Sequence, residues 1–560
     1  MAQPLRVVVI GGVAAGPKIA AKVTRLRPDA EVTVVEKGED ISYAGCGLAY
    51  HISDVVREQK DLMATPAGVV RDPVFFRNVK NVTVHIRTEA LEIDRRSKRV
   101  RLRSREEGRE WWIAYDKLAL ATGARAVIPP LTGVNLRNVF VLKDIQNALA
   151  IKQFIEKEQP QEVVIVGGGL IGVEMAEALV TKGVLVTMIE MLPQVLIPLD
   201  WEMAFQVQKH MTAKGVQVLT STKADSFEGS DKVQAVIAGD RRIPAEAVVL
   251  AVGVRPEVRL AKEAGLEIGP TGAIRVDEYM CTSDSDIYSA GDCAETTNLI
   301  TGRPTYCPLG STANKQGRVA AINICGGGER FPGVLESIIC KVFDLACGTT
   351  GLSERAARAL GYDVVTSLVP AADKAHYYPT ARTITLKLIA NRATCRLLGA
   401  QAVGPGDVAK RLDVAATAIT AGMTVDQVSK LDLCYAPPYS AAMDNLITAA
   451  NVLENKIEGN MRGISPMELK RRLDAGEPIV LLDVRTPAEF ERGHLPGSIP
   501  IPLGALRKRC NELPRDKEIV VYCGSSLRAY EGALILRYAG FENVRVLDGS
   551  VVTWPYELVK

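Results

Sequence analysis

Short β-branched runs, glycine turns and helix-forming stretches alternate along the chain, and the same opening occurs twice. "RVVVIGGVAAG" (6–16) and "EVVIVGGGLIGVEMA" (162–176) each predict a buried strand, a tight turn and the start of a helix. In each unit the next apolar strand ends on an acid, "VTVVE" at Glu36 and "VTMIE" at Glu190. Gly167, Gly169 and Gly172 complete G-x-G-x-x-G, whereas the first unit keeps Gly11, Gly12 and Gly16 but has Val13 in the middle place. Such glycines let a pyrophosphate approach a helix N-terminus, and the acid accepts hydrogen bonds from a ribose diol. Two dinucleotide-binding units are therefore expected. Strand-then-turn patterns recur at "LALATGA" (118–124) and "IYSAGDCAE" (287–295), and a strand-to-helix junction around a cysteine appears at "EIVVYCGSSLRAYEGALIL" (518–536).

At 560 residues the chain exceeds what one hydrophobic core supports and predicts three or four domains. Its 68 basic and 65 acidic residues nearly balance, with no basic tract interleaved with aromatics, which argues against nucleic acid as a partner. "MAQPLRVVVIGG" lacks the regions of a signal peptide and no apolar run approaches 18 residues, so no membrane association and a cytoplasmic location are expected. The eleven cysteines show neither paired zinc spacing nor a compact disulfide framework; no metal site is expected, and context must select the reactive thiols. Two adenine dinucleotides on one chain pair a tightly held FAD with an exchanging nicotinamide nucleotide.

The two glycine units, "LALATGA" and "IYSAGDCAE", in that order, resemble the pyridine nucleotide-disulfide oxidoreductases over about residues 5–450. That resemblance implies a discontinuous FAD-binding domain (1–149 and 276–330), an NAD(H)-binding domain (150–275) and an α/β dimerisation domain (331–450). FAD would be held by Gly11, Gly12, Gly16, Glu36, Thr122, Gly123, Gly291 and Asp292, with Asp292 at the ribityl chain. NADH would be held by Gly167, Gly169, Gly172, Glu190 and Gly253. Met191 rather than arginine follows Glu190, and a carboxylate there repels a 2′-phosphate, so NADH is expected over NADPH.

Disulfide reductases of this family carry C-x4-C where this chain has "SYAGCGLAYHI" (42–52), with Ile at 41 and His at 51. Without a resolving partner, Cys46 must form a mixed disulfide, persulfide or sulfenic acid with something external. The stretch resembles the single-cysteine branch of coenzyme A disulfide reductases, NADH-dependent persulfide reductases, and NADH oxidases and peroxidases; "GGVAAG", lacking a histidine, resembles its coenzyme A group. "KAHYYPTARTI" (374–384) and "LDLCYAPPYSAAMDNL" (431–446) resemble segments that reach across a homodimer toward the thiol. They imply catalytic roles for Tyr378 and Tyr435, whose phenols can donate a proton to a leaving sulfur, and a substrate contact for Tyr377. Ala49 and Met443 depart from a proline and a lysine common in the family. Lys18, Lys22 and Arg25 share a helical face that either meets coenzyme A phosphates or is simply solvated.

After a polar junction (451–462), residues 463–560 resemble a rhodanese domain through "LLDVR", "GHLPGSIPIP" and the cysteine loop. Cys523 is the implied nucleophile, stabilised by loop N–H groups and the following helix, with Arg528 closing over an anion. The basic residue often found immediately after that cysteine is missing. Asp483, Arg485 and His494 have a structural character. The expected fold is α/β: two Rossmann-like domains, an α/β dimerisation domain and an α/β rhodanese domain. The expected activity is FAD-dependent NADH:persulfide or polysulfide reduction through a Cys46 adduct, on a small sulfur substrate such as coenzyme A persulfide, with a fused sulfurtransferase. Coenzyme A disulfide reduction stays open, as does a slow-turnover redox sensor or sulfur relay.

Overall fold

A computed structural model describes residues 3–560. The chain divides into two compact units, Met1–Pro193 with Gly215–Val334, and Gln194–Lys214 with Leu335–Lys560. In the first unit, the runs Arg6–Ile10 and Glu162–Val166 form the middle strands of two five-stranded sheets. Their neighbours are all parallel. Both strands are buried from their second residue onward. Strands covered on both faces need continuous apolar runs, which is why "VVVI" and "VVIV" do not alternate. Ile287–Ser289 returns to pair with Lys117–Leu120 and closes the first sheet, so that strand joins residues far apart in sequence. The helices Ala15–Leu26 and Leu170–Thr181 follow the two middle strands directly, placing each glycine turn at a carboxyl strand end, where open α/β sheets bind ligands.

The second unit holds an antiparallel sheet in the order Ile338–Val342, Leu345–Gly351, Leu397–Gly404, Thr383–Asn391, Val364–Ala372. Helices Val408–Thr420 and Asn445–Ile457 pack on it, as does Trp201–Ala213, which lies in sequence within the 150–275 segment. Lys387, fully buried in this sheet, explains that attachment. Its Nζ bonds Glu202 and lies 3.0 Å from Asp200 and 2.7 Å from Glu354. Burial opposes its charge, but these three carboxylates carry its pKa above the ordinary lysine value.

A parallel sheet in the order Gly463–Ile464, Val544–Leu547, Glu518–Tyr522, Ile479–Asp483, Ile499–Pro500 forms the C-terminal lobe of this unit. The polar junction expected at 451–462 is shorter than its composition suggests. The helix Asn445–Ile457 runs through its first half because Leu453 is completely buried and Val452 packs on the C-terminal core. Lys456 at the end of this helix pairs with Asp548, and the Trp201 ring stacks on Tyr556 with centroids 6.0 Å apart. Among the described residues no helix is long and apolar enough to cross a membrane.

Candidate active site

The two glycine turns are built alike. Gly11 and Gly167 have φ of 109° and 111°, and a Cβ on them would lie 2.0 Å from the Ala121 carbonyl oxygen and 2.4 Å from that of Ala251. Only glycine permits that backbone and that approach. A Cβ on Gly16 or Gly172 would strike the carbonyl of Gly11 or Gly167. The buried Glu36 carboxylate accepts the N–H groups of Gly12 at 2.6 Å and Gly38 at 2.7 Å; buried Glu190 accepts those of Gly168 at 2.7 Å and Leu192 at 2.8 Å. Each carboxylate is thus fixed beside its turn. Gly169 caps the second helix, and Gly253 follows the Ala247–Leu250 strand with φ of 101°; both are exposed.

Around the first turn, Thr122 donates to the Glu257 carbonyl at 2.6 Å ahead of Gly123. The Gly291 N–H donates to Gln316 at 2.9 Å. Asp292 is half-buried; burial pushes its carboxyl up, while Lys143, 3.8 Å away, opposes the shift. Cradles free of Cβ atoms, each with a buried acid, fit one adenine dinucleotide apiece.

Cys46 sits in a 3-10 turn, Gly45–Gly47, ahead of the short helix Leu48–Ile52. The Ser42 N–H donates to the Gly12 carbonyl at 2.7 Å, and Ala44 N–H to Leu62, so the thiol segment is tied directly to the first glycine turn. The residue is solvent-exposed, and its thiol is free. Ile41 is buried, and the His51 ring is engaged at 2.8 Å with the Val56 carbonyl, so neither flank supplies a resolving group. A Cβ on Gly310, the first residue of the fifteen-residue helix Gly310–Ile324, would lie 4.0 Å from the Cys46 sulfur. This N-terminus favours a thiolate, a feature invisible across 263 residues of intervening sequence. Desolvation, Glu174 and Asp292 push the thiol pKa up, and Lys143 draws it down. Glu174 is itself raised to about 7, chiefly by burial. Glu174, Lys143 and Gly310 carried no signal in the sequence that marked them for this site.

Tyr377 and Tyr378 lie in a loop whose ends are joined by Asp373 and Arg382, and Tyr435 in a loop that ends at Ser440 and Asp444. Arg411 ties the feet of both loops together. It is buried and donates to the Asp373 carbonyl at 2.6 Å and to Asp444 at 2.9 Å. Tyr377 and Tyr435 are exposed, and Tyr378 is partly buried. Tyr439, in the Tyr435 loop, is 70% exposed and was not singled out by sequence. Lys18 and Lys22 lie half-buried on the helix Ala15–Leu26, and Arg25 is exposed with its Nε donating to Ala21.

Cys523 directly follows the strand Glu518–Tyr522, precedes the helix Leu527–Tyr538, and is buried. Ser550, 27 residues later, accepts the Cys523 N–H at 3.1 Å, and its oxygen is 4.0 Å from the sulfur. Val551 and Val552 donate to the carbonyls of Cys523 and Gly524. Arg528 is held by Glu489 through two bonds of 2.8 and 2.6 Å, which hold that carboxyl down at about 2. The same pair raises the Arg528 pKa, with Cys523 contributing, so the guanidinium stands over the loop already partnered. Asp483 and Arg485 form a buried pair, and the His494 ring stacks on Phe490 at 3.6 Å. Cys523 is thus held against backbone groups and the Ser550 hydroxyl.

Comparison with known proteins agrees with these arrangements. Residues 5–317 match the pyridine nucleotide-disulphide oxidoreductase family, residues 338–447 its dimerisation domain, and residues 465–556 the rhodanese-like domain. A protein of Pyrococcus horikoshii described as an NAD(P)H coenzyme A polysulfide/persulfide reductase is 40% identical over 449 residues, 80% of this chain and 98% of that protein. The solved structure of an NAD-dependent persulfide reductase from A. fulgidus superposes with a TM-score of 0.94 at 46% identity, covering 98% of this chain and all of that one. The reduced Bacillus anthracis CoADR-RHD gives a TM-score of 0.94 at 36% identity, covering 100% of this chain and 99% of its own. With both glycine cradles, the lone thiol and the C-terminal cysteine loop in place, the chain belongs to the pyridine nucleotide-disulphide oxidoreductases, with a dimerisation domain and a rhodanese-like domain behind its nucleotide-binding core.

Proposed function

We propose that the protein is an FAD-dependent NADH:persulfide reductase whose substrate is a small thiol persulfide, coenzyme A persulfide above all, and that its C-terminal domain transfers sulfane sulfur. One observation carries the reading: Cys46 is an exposed, free thiol at a helix N-terminus, and among the described residues no neighbour on its own segment can close an internal disulfide. Such a thiol is suited to an external sulfur electrophile. FAD, bound at the Gly11–Gly16 turn and Glu36, supplies two-electron relay chemistry between nicotinamide and thiol. The domain bounds proposed are 1–149 with 276–330, 150–275, 331–450 and 463–560.

The Cys46 thiolate attacks the persulfide, hydrosulfide leaves, and a mixed disulfide holds the carrier thiol on the enzyme. Two electrons and a proton then regenerate the thiolate and release the carrier as a thiol, so that one NADH and one proton convert RSSH to RSH and hydrogen sulfide. Gly310 and its helix stabilise the thiolate before attack and on release. Tyr378 and Tyr435, on loops held by Arg411, serve Cys46 of the other subunit of a homodimer and donate the proton to the departing sulfur. Lys18, Lys22 and Arg25 receive the phosphates of the carrier, and Tyr377 its arm. Glu190 favours NADH by repelling a 2′-phosphate. The Cys523 thiolate takes sulfane sulfur from a donor and passes it to the carrier, with Ser550 fixing the thiol and Arg528 facing the anion. This chemistry belongs in the cytoplasm.

Variants of the two thiols test the reading. Cys46→Ser should retain FAD and its reduction by NADH but lose persulfide-dependent NADH oxidation. Cys523→Ser should keep that oxidation with preformed coenzyme A persulfide and lose sulfur transfer from thiosulfate or polysulfide. Retention of persulfide-dependent oxidation by Cys46→Ser would overturn the mechanism. Faster turnover of coenzyme A disulfide than of the persulfide would favour the disulfide reductase alternative.

A further inference from the structure

Besides Cys46 and Cys523, two further cysteines, Cys340 and Cys347, face each other across a hairpin in the second unit. They are register partners on the antiparallel strands Ile338–Val342 and Leu345–Gly351, joined by the two-residue turn Phe343–Asp344. Their sulfurs are 3.2 Å apart, and both residues are buried. Directly opposed residues in an antiparallel pair have Cα atoms about 4.5 or 5.5 Å apart, and both spacings fall inside the range that a disulfide bridges. Ile338–Val342 is the edge strand of its sheet, next to Leu345–Gly351, and Ile339 on it is half exposed. Edge hairpins open locally at low cost, which gives a small reagent access to the pair.

From this juxtaposition we propose that Cys340 and Cys347 form a second redox site, a dithiol that sulfane sulfur oxidises to a cross-strand disulfide. One thiolate attacks the sulfane sulfur of a persulfide RSSH, taking that sulfur as its own persulfide and releasing RSH. The opposed thiolate then attacks the protein-bound sulfur of that persulfide, expelling hydrosulfide and leaving the disulfide. In total, two protein thiols and RSSH give one disulfide, RSH and hydrogen sulfide. The thiols lose two electrons, and the sulfane sulfur gains them. The identity of the oxidant rests on the function proposed above; the pairing of the thiols does not.

The holoenzyme, incubated without oxygen or NADH in sodium tetrasulfide and alkylated with iodoacetamide in denaturant, provides the test by peptide mass. Alkylation at both cysteines should fall tenfold or more, with the peptides carrying them joined and two hydrogens lighter than their reduced forms. In Cys340→Ser the remaining Cys347 should appear as a persulfide, one sulfur heavier, or alkylated. Recovery of both cysteines fully alkylated, or as two persulfides, from wild-type protein modified at Cys46 would overturn the proposal. NADH oxidation with coenzyme A persulfide, measured on the same preparation, reports on the reductase assignment separately, since neither hairpin cysteine belongs to that machinery.

Discussion

Replacing Lys456 by methionine removes the cation that faces a buried carboxylate. Lys456 Nζ is 2.7 and 2.8 Å from the two Asp548 oxygens, and it also donates to the Thr366 carbonyl at 2.7 Å. Burial already pushes the Asp548 carboxyl above its ordinary 3.8, with Lys456 opposing the shift. Without the lysine, the carboxylate either stays charged in the interior or takes a proton. Breaking a buried pair costs about 3–5 kcal/mol. Protonation sets a ceiling on that cost. At about 1.36 kcal/mol for each pH unit above the ordinary value, it reaches about 4.4 kcal/mol at pH 7 and about 1.6 kcal/mol at pH 5.

A raised carboxyl pKa gives stability that is present below 3.8 and lost as pH climbs through the folded value, and losing the lysine raises that value further. Lys456→Met should therefore lose about 3–4 kcal/mol at pH 7 and about 1–1.5 kcal/mol at pH 5. Urea unfolding can be followed by the fluorescence of Trp201 and Trp554, both in this unit, with Trp201 stacked on Tyr556. Adding Asp548→Asn should recover most of the pH 7 loss, because an amide needs no counter-charge. An equal loss at both pH values, or no recovery in the double variant, would refute the electrostatic account.

Arg411→Met should take from buried Asp444 its nearer cation, leaving only Lys410 at 3.9 Å, and cost about 3 kcal/mol; if Arg411 positions the tyrosine loops, kcat for persulfide reduction should fall at unchanged FAD content, and an unchanged kcat would count against that role. Glu190→Gln should lower kcat/KM for NADH and bring the NADH to NADPH ratio toward one from about tenfold or more, equivalent to about 1.4 kcal/mol, as read from initial rates. Ser550→Ala removes the acceptor of the buried Cys523 N–H at a position with φ of 53°. It should slow sulfur transfer from thiosulfate, leaving reduction of preformed coenzyme A persulfide intact.

Both glycine cradles, their acids and the two thiols were legible in the chain because each depends on local order. A strand that ends in a turn with φ near 110° requires glycine wherever it occurs, and a parallel strand buried on both faces requires an unbroken apolar run. What surrounds those residues was not legible, since those partners are distant in sequence. Gly310 reaches Cys46 only because the helix it begins packs on the first sheet's opening helix, Ser550 reaches Cys523 only because two parallel strands lie side by side, and Arg411 joins two loops that flank its own helix in sequence. The junction at 451–462 read as a linker because it is polar. Tertiary packing made half of it helix, since Leu453 finds a core and Lys456 finds Asp548. In the sequence Cys340 and Cys347 are two of eleven cysteines with nothing to pair them. Their meeting was decided by the register of one hairpin, in which a slip of a single residue would have turned the two side chains to opposite faces.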